Sequence, residues 1–388
     1  MKKQTLIFFA LLIASMTMHA ENYVNVPAVD LGKEYPTDRL SLNQVAEVTF
    51  IPLETTDNSL IKEYSHITIN SDKIVVSDHS QGQIFIFDRN GKFINKVARK
   101  GLGPEEYQAI SLSCVDFDAN RIYIWDYNTL GRVKIYDFSG KYIKQLNIGR
   151  LPWPDQMYVF DRSHLIIHCD QNNLSNTKPG AQPYFLINTE TGKASPLNLR
   201  IDKPLSNQYG QRDGSGAVKS LQLIPIYPMI KSGGNVIISD FSLTPVYQEE
   251  NGKLMPILKR NGTGDLGNGR ARLSSVQNIS DRFIILRTTD TALNKNSGKF
   301  DVSDPQILCY DRKNKSLKTV DVFSEDLNHD VAIDSWNMDL PANTSAAIIP
   351  TMALEKWHES GKLSEKAEAI YSTMDEDSNW LLMVIEFK

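Results

Sequence analysis

Only three cysteines occur in the 388 residues, Cys114, Cys169 and Cys309. An odd number cannot pair off internally, so at most one disulfide can close. Each sits in a strand-like apolar context, where a free thiol behaves as a small buried hydrophobe. Positive charge is not in excess either: 42 Lys and Arg stand against 46 Asp and Glu, a formal net charge of −4. That balance excludes a broad electrostatic footprint for nucleic acid or acidic lipid. No apolar run approaches the roughly 20 residues that a membrane-spanning helix needs. Also missing are G-x-S-x-G, H-E-x-x-H and C-x-x-C, the spacings of a nucleophile elbow and of common zinc sites. Beyond residue 20 the histidines, His66, His79, His164, His168, His329 and His358, are scattered. His168 and Asp170 fall on one strand face with Cys169 on the other, and two ligands do not make a zinc set; no metal residues are assigned.

What is present begins with a leader. Lys2 and Lys3 precede an apolar run from Leu6 to Ile13, with Ala20 before Glu21. This pattern predicts a secretory signal peptide over residues 1–20, too short to span a bilayer. The expected location is periplasmic or secreted, and with no cysteine near the boundary a lipid-modified N-terminus is not expected. The remaining chain, 21–388, is expected to form a single domain.

Its organisation is a repeat. Ile67-Thr68-Ile69-Asn70, Lys73 to Asp78, Gln83 to Asp88 and Phe93 to Val97 read as four short strands separated by turn residues. The same punctuation returns from Val115 through Arg121–Asp126, Arg132–Asp137 and Tyr142–Leu146. Weaker copies place polar turns at Thr191-Gly192-Lys193, Asn251-Gly252-Lys253 and Lys313-Asn314-Lys315. Four antiparallel strands in roughly 40 to 50 residues is the signature of a β-propeller blade. Blades are predicted near 63–98, 112–148, 157–200, 223–260 and 278–322, and a sixth is needed to close the ring. The apolar strands Val45–Leu53 and Trp380–Phe387 are predicted to meet in that last blade, which would remove exposed edges. Residues 351–371, rich in helix formers such as Ala353, Leu354, Ala367 and Ala369, predict one or two short helices inserted there. The fold class is therefore all-β: a six-bladed β-propeller with a short helical insertion in the last blade and its N- and C-terminal strands as the clasp.

Phe50-Ile51-Pro52-Leu53-Glu54-Thr55-Thr56, Phe87-Asp88-Arg89-Asn90-Gly91-Lys92-Phe93, Gly101-Leu102-Gly103-Pro104-Glu105-Glu106-Tyr107 and the final apolar strand resemble the exported six-bladed β-propeller proteins of gut-type Gram-negative bacteria, related to NHL-repeat propellers. The resemblance spans the chain after the leader. It implies the propeller and export, and implies no particular activity, since members of that group are mostly of unassigned function. Where the family often has Gly-Pro-Gly-Glu-Tyr, this chain has Gly103-Pro104-Glu105-Glu106-Tyr107, one permissive glycine fewer.

Gly262-Thr263-Gly264-Asp265-Leu266-Gly267 matches the dinucleotide spacing G-x-G-x-x-G. The motif requires a following helix, and Asn268 to Ser275 has no apolar helical face, so these glycines read as an interblade turn. An Asp closes the second strand of successive repeats at Asp78, Asp126, Asp170, Asp240 and Asp290. Each can accept backbone N–H groups of its own loop; together they could ring the channel and hold Ca²⁺. No cofactor is otherwise expected.

Binding residues concentrate on loops held by a rigid scaffold. In a propeller the loops between second and third strands share one face with the interblade loops. That face gathers Tyr127, Arg150, Trp153, Arg212, Arg260 and Arg270 as candidate ligand-binding residues, a mixture suited to sugars or peptides through Arg contacts and stacking. The expected function is an exported ligand-binding or interaction protein recognising a glycan fragment or a cell-envelope component on this face. The expected partner is a glycan, a peptide or a cell-envelope protein, with no nucleic acid and no membrane span. The alternative is a carbohydrate-active lyase or hydrolase on the same face. A lyase needs a base near a cation that neutralises a uronate, which nominates His79 and Tyr107 with Arg150. A hydrolase needs two carboxylates, which nominates Glu106 and Asp213. Whether the chain is an enzyme stays open.

Overall fold

A computed structural model of the chain describes residues 26–126, 131–149, 151–152, 154–169, 182–199, 201, 204–212, 215, 218–294, 299–333 and 337–388. The leader lies outside them. The architecture is mostly β, built from several antiparallel sheets in a propeller-like arrangement. The first unit pairs His66–Ile69, Lys73–Asp78, Gln83–Asp88 and Phe93–Val97 in sequence order. Its turn chemistry is local. The Asp88 carboxylate accepts the N–H groups of Asn90 and Lys92, each at 2.9 Å, and Gly91 takes a φ of +86° where a Cβ would stand 2.2 Å from the Pro52 carbonyl oxygen. That crowding restricts the position to glycine. The next unit repeats the device, with Asp137 accepting from Ser139 and Lys141 ahead of Gly140.

Each sheet is covered on both faces, which explains strands such as Ile84-Phe85-Ile86-Phe87 that are apolar throughout. Ile84 and Ile86 pack against Ile122 and Ile124 of the next unit, whereas Phe85 and Phe87 pack against Leu382 and Val384 of the last sheet. The second unit spans Ile110–Asn147 and the third Pro154–Pro196. The fourth runs Met229–Ser232, Asn235–Ile238, Pro245–Glu250 and Lys253–Asn261. The fifth contains Arg270–Ile279, Phe283–Leu293, Gln306–Asp311 and Ser316–Ser324. The remaining sheet joins Thr344–Ile349, Leu381–Phe387 and Ala46–Pro52, so the two ends of the chain lie hydrogen-bonded side by side from Ala46↔Phe387 to Pro52↔Leu381.

Three features depart from a plain repeat. Ala28–Asp30 and Thr37–Ser41 add parallel strands to the outer edges of the fourth and fifth units. Between the third and fourth units, Gln208–Arg212 pairs with Val218–Leu223 in an added hairpin. Met338–Leu340 runs parallel to the first strands of both the fourth and the first units, bridging them across the middle of the molecule. Helices at Thr351–Glu359 and Glu365–Tyr371 interrupt the last sheet between its Thr344–Ile349 and Leu381–Phe387 strands, and bury Leu354 and Ala367 against Phe50 and Met383. No helix among the described residues is long and apolar enough to cross a membrane.

Gly264–Gly267 forms a strand that pairs with Arg270–Ile279. The glycine run therefore sits in a β-hairpin, without the helix that dinucleotide binding requires. All three cysteines are buried.

Candidate functional site

Among the nominated catalytic residues, His79 is half-buried and its Nε2 lies 3.3 Å from the Ser113 hydroxyl, which in turn donates to Ser77 at 2.8 Å. Burial pushes the His79 imidazole down to about 4. Tyr107 is fully buried and donates to the Gly82 carbonyl at 2.8 Å; burial lifts its hydroxyl to about 12. Glu106 accepts the Gly103 N–H at 2.8 Å and so fastens its own turn. Asp213 lies outside the described residues, as do Tyr127, Arg150 and Trp153. Arg212 belongs to the Gln208–Arg212 strand, and Arg270 is exposed at the start of the fifth unit. Arg260 is fully buried. It donates to the carbonyl oxygens of Ser239 (3.1 Å), Asp240 (2.7 Å), Leu243 (2.8 Å) and Ser274, satisfying four acceptors at a loop junction with one guanidinium.

The strand-closing aspartates accept backbone N–H groups from their own loop in some cases (Asp78, Asp240) and from the segment leading into their unit in others (Asp78, Asp126). Asp78 takes the N–H groups of Lys62 and Gln81, Asp126 those of Gln108 and Ala109, and Asp240 that of Ser242. Asp290 pairs bidentately with Arg272 at 2.6 and 2.7 Å. Asp170 lies outside the described residues, and His168 pairs instead with Asp155 at 2.6 Å. Among the described residues no group of three or more His, Cys, Asp or Glu is gathered to hold a metal ion.

Two concave sites of similar size occur at opposite ends of the strands. The first is a cleft of about 790 Å³ on the face of the interunit loops. Its walls follow from the end-to-end pairing: Pro52 is the register partner of Leu381, so the segments running on from these residues, 53–60 and 373–379, leave the sheet edge together. Buried Asn379 ties them. Its Oδ1 accepts the Ile61 N–H at 2.9 Å, and its Nδ2 donates to the carbonyls of Ser59 at 2.9 Å and Glu54 at 3.2 Å. Glu54, Asp57, Asp375 and Asp377 line the cleft, and no Lys, Arg or His is among its lining residues. Beside it Trp380 stacks on Tyr64, with ring centroids 5.4 Å apart and an interplanar angle of 14°, and Trp380 remains 40% exposed. Leu60, also exposed, lines the cleft itself.

The second is a cavity of about 800 Å³ among the turns that join first strands to second strands. On its lining lies the ion pair of Lys231 and Asp339, 2.9 Å apart, with side chains 9% and 12% exposed. Burial raises the Asp339 carboxyl from its ordinary value; Lys231 opposes that shift and the nearby Asp116 charge adds to it. In the interior beyond, His66 is buried with its Nε2 unpartnered, its ring 5.9 Å from that of Tyr158. Burial, with help from the His79 and Lys231 charges, pushes it down to about 3.

The sequence reading passed over Tyr64, Trp380, Lys231 and Asp339. The last two carried a signal: Lys231 follows the apolar Met229-Ile230 and Asp339 stands between Met338 and Leu340, and a charge in a buried strand needs a partner.

The family model for a domain of unknown function (DUF4934) matches residues 26–386. No curated protein matches the chain. Among solved structures, a protein of Bacteroides fragilis described as exported is 14% identical with a TM-score of 0.65, over 93% of this chain and 99% of the other. A member of the DUF4221 family from Bacteroides vulgatus is 11% identical with a TM-score of 0.46, over 89% and 97% of the two chains. The first of these likenesses concerns the fold. The chain belongs to the DUF4934 family.

Proposed function

We propose that this member of the DUF4934 family is an exported six-bladed propeller that binds a glycan fragment, or a cell-envelope component bearing one, in the cleft between residues 53–60 and 373–379. The blade count is supported by five four-stranded units and a last sheet made from both ends of the chain. Export is supported by the charged and apolar pattern of residues 1–20. The observation that carries the ligand class is the cleft: carboxylates lining it without any cation, next to a stacked and partly exposed tryptophan.

Carboxylates accept hydrogen bonds from sugar hydroxyls and ammonium groups, whereas they repel a uronate. The exposed part of Trp380 supplies an apolar face for a sugar ring. The reading therefore narrows to neutral or amine-bearing sugars. Lyase chemistry on uronates is disfavoured, because it needs a cation and none is among the described residues that line this cleft. The cleft carboxylates favour a hydrolase as the second reading. Calorimetric titration of the purified protein with neutral, amine-bearing and uronate oligosaccharides, with product analysis of every ligand that binds, tests the proposal. Neutral or amine-bearing sugars are expected to bind without turnover, and Trp380→Ala to weaken them about tenfold, or ~1.4 kcal/mol. Preference for uronates, or unchanged binding by Trp380→Ala, overturns it; shortened products put the hydrolase first.

A further inference from the structure

The cavity at the other end of the strands differs from the cleft in charge. Both signs line it: Lys231 and Arg162 against Asp116, Asp118, Asp161 and Asp339. We propose that it is a second binding site, for a small zwitterionic ligand of the amino-acid or short-peptide class, with the ligand's ammonium group held by Asp116 and Asp339 and its carboxylate by Lys231 and Arg162.

Four observations carry this. Lys231 and Asp339 are register partners in a parallel ladder, and the strand bearing Asp339 is hydrogen-bonded on both sides, to the first unit and to the fourth. Both charges are thus held at one fixed place on the cavity wall, as a preorganised site requires. The second observation is cost. Nine-tenths burial of an ion pair carries a desolvation penalty that an apolar pair of similar volume avoids, and Met229, Ile230, Met338 and Leu340 around it are all apolar and buried. Packing alone does not call for charge here.

Third, the charges do not cancel. Asp116 lies near enough to raise the Asp339 carboxyl, so this part of the wall holds two carboxylates against one ammonium. The surplus suits a ligand ammonium group, and Lys231 with the exposed Arg162 supplies donors for a carboxylate. A simple anion would face Asp116 and Asp339, and a simple cation would face Lys231; a ligand carrying both charges meets neither repulsion. Fourth, the size fits. The cavity lies within the ~300–1,000 Å³ range of small-molecule sites, and Val159 and Leu340 on its wall offer apolar contact to a side chain.

The test is calorimetric titration of the purified protein with a panel of single amino acids and dipeptides covering each side-chain class. The tightest binder is then acetylated at its amine and, separately, amidated at its carboxyl. Each block is expected to weaken binding at least about tenfold. Asp116→Asn, which keeps the acceptor for the Ala119 N–H, is expected to do the same without a change in melting temperature. The double variant Lys231→Met with Asp339→Leu replaces the pair by apolar side chains; it is expected to fold and to lose binding. Trp380→Ala is expected to leave this binding untouched, so failure here is distinct from failure of the glycan reading. No binding by any panel member at millimolar concentration, indifference to both blocks, or full binding by folded Asp116→Asn would overturn the proposal.

Discussion

His66 is buried with its imidazole held down to about 3, and His79, half-buried, is held down to about 4; burial is the main cause for both. In the unfolded chain each titrates near 6.5. As pH falls below that value the unfolded state takes up protons that the folded state refuses, so stability is complete above pH ~6.5 and declines on acidification. Each histidine contributes a slope of about 1.4 kcal/mol per pH unit until its folded value is reached. His66→Gln is expected to remove about half of the combined histidine slope between pH ~6 and ~4.5, measured by denaturant melts at each pH. An unchanged slope would mean that the ring is accessible to protons in the folded state.

The same residues mark where reading by position runs out. His79, Tyr107 and Arg260 were nominated because they stand at strand ends or in loops, and position along the chain carries no information about inward or outward direction there. Tyr107 turns inward, where its hydroxyl donates to the carbonyls of Gly82 and Val97, and Arg260 does so where four carbonyls converge on it. Asp78 and Asp240 were more legible, since each accepts an N–H of its own loop, from Gln81 and Ser242; Asp126 was not, because its donors Gln108 and Ala109 come from the segment leading into its unit.

At the scale of elements, the repeat was readable because the hairpins between third and fourth strands are local: strand, an Asp, Asn or Glu acceptor, a residue at positive φ (Gly91, Gly140, Gly192, Gly252 or Lys315), strand. The edge strands Ala28–Asp30 and Thr37–Ser41 were not, because they are short and paired in parallel with segments over two hundred residues away. Met338–Leu340 was missed for the same reason: three residues give no period. The pairing of Ala46–Pro52 with Leu381–Phe387 was readable from two apolar strands that needed partners. Val384 in that pair is fully buried among Ile51, Phe85 and Leu382. Val384→Asp therefore places an unpartnered carboxylate in the core and is expected to cost more than about 3 kcal/mol. Glu386→Ala on the same strand loses only a surface pair with Arg89 and is expected to change stability by less than about 1 kcal/mol. Thermal melts of the two variants check this; similar melting would mean that the joined ends contribute little to closure.

For the whole molecule, the candidate sites were the least legible level because neither is continuous in sequence. The cleft is assembled from residues 53–60 and 373–379, which adjoin only because the chain ends share a sheet. The opposite cavity draws on turns from several units. The scaffold thereby separates two surfaces of different charge, one acidic and one mixed, at the two ends of its strands, an arrangement in which one protein can hold two chemically distinct ligands. The most direct test of the central reading is a crystal structure of the protein with its tightest-binding neutral or amine-bearing oligosaccharide. The account predicts a sugar ring against Trp380 with hydroxyl or ammonium groups on the cleft carboxylates Asp57, Asp375 or Asp377. A sugar bound elsewhere, with the cleft filled only by water, would contradict it.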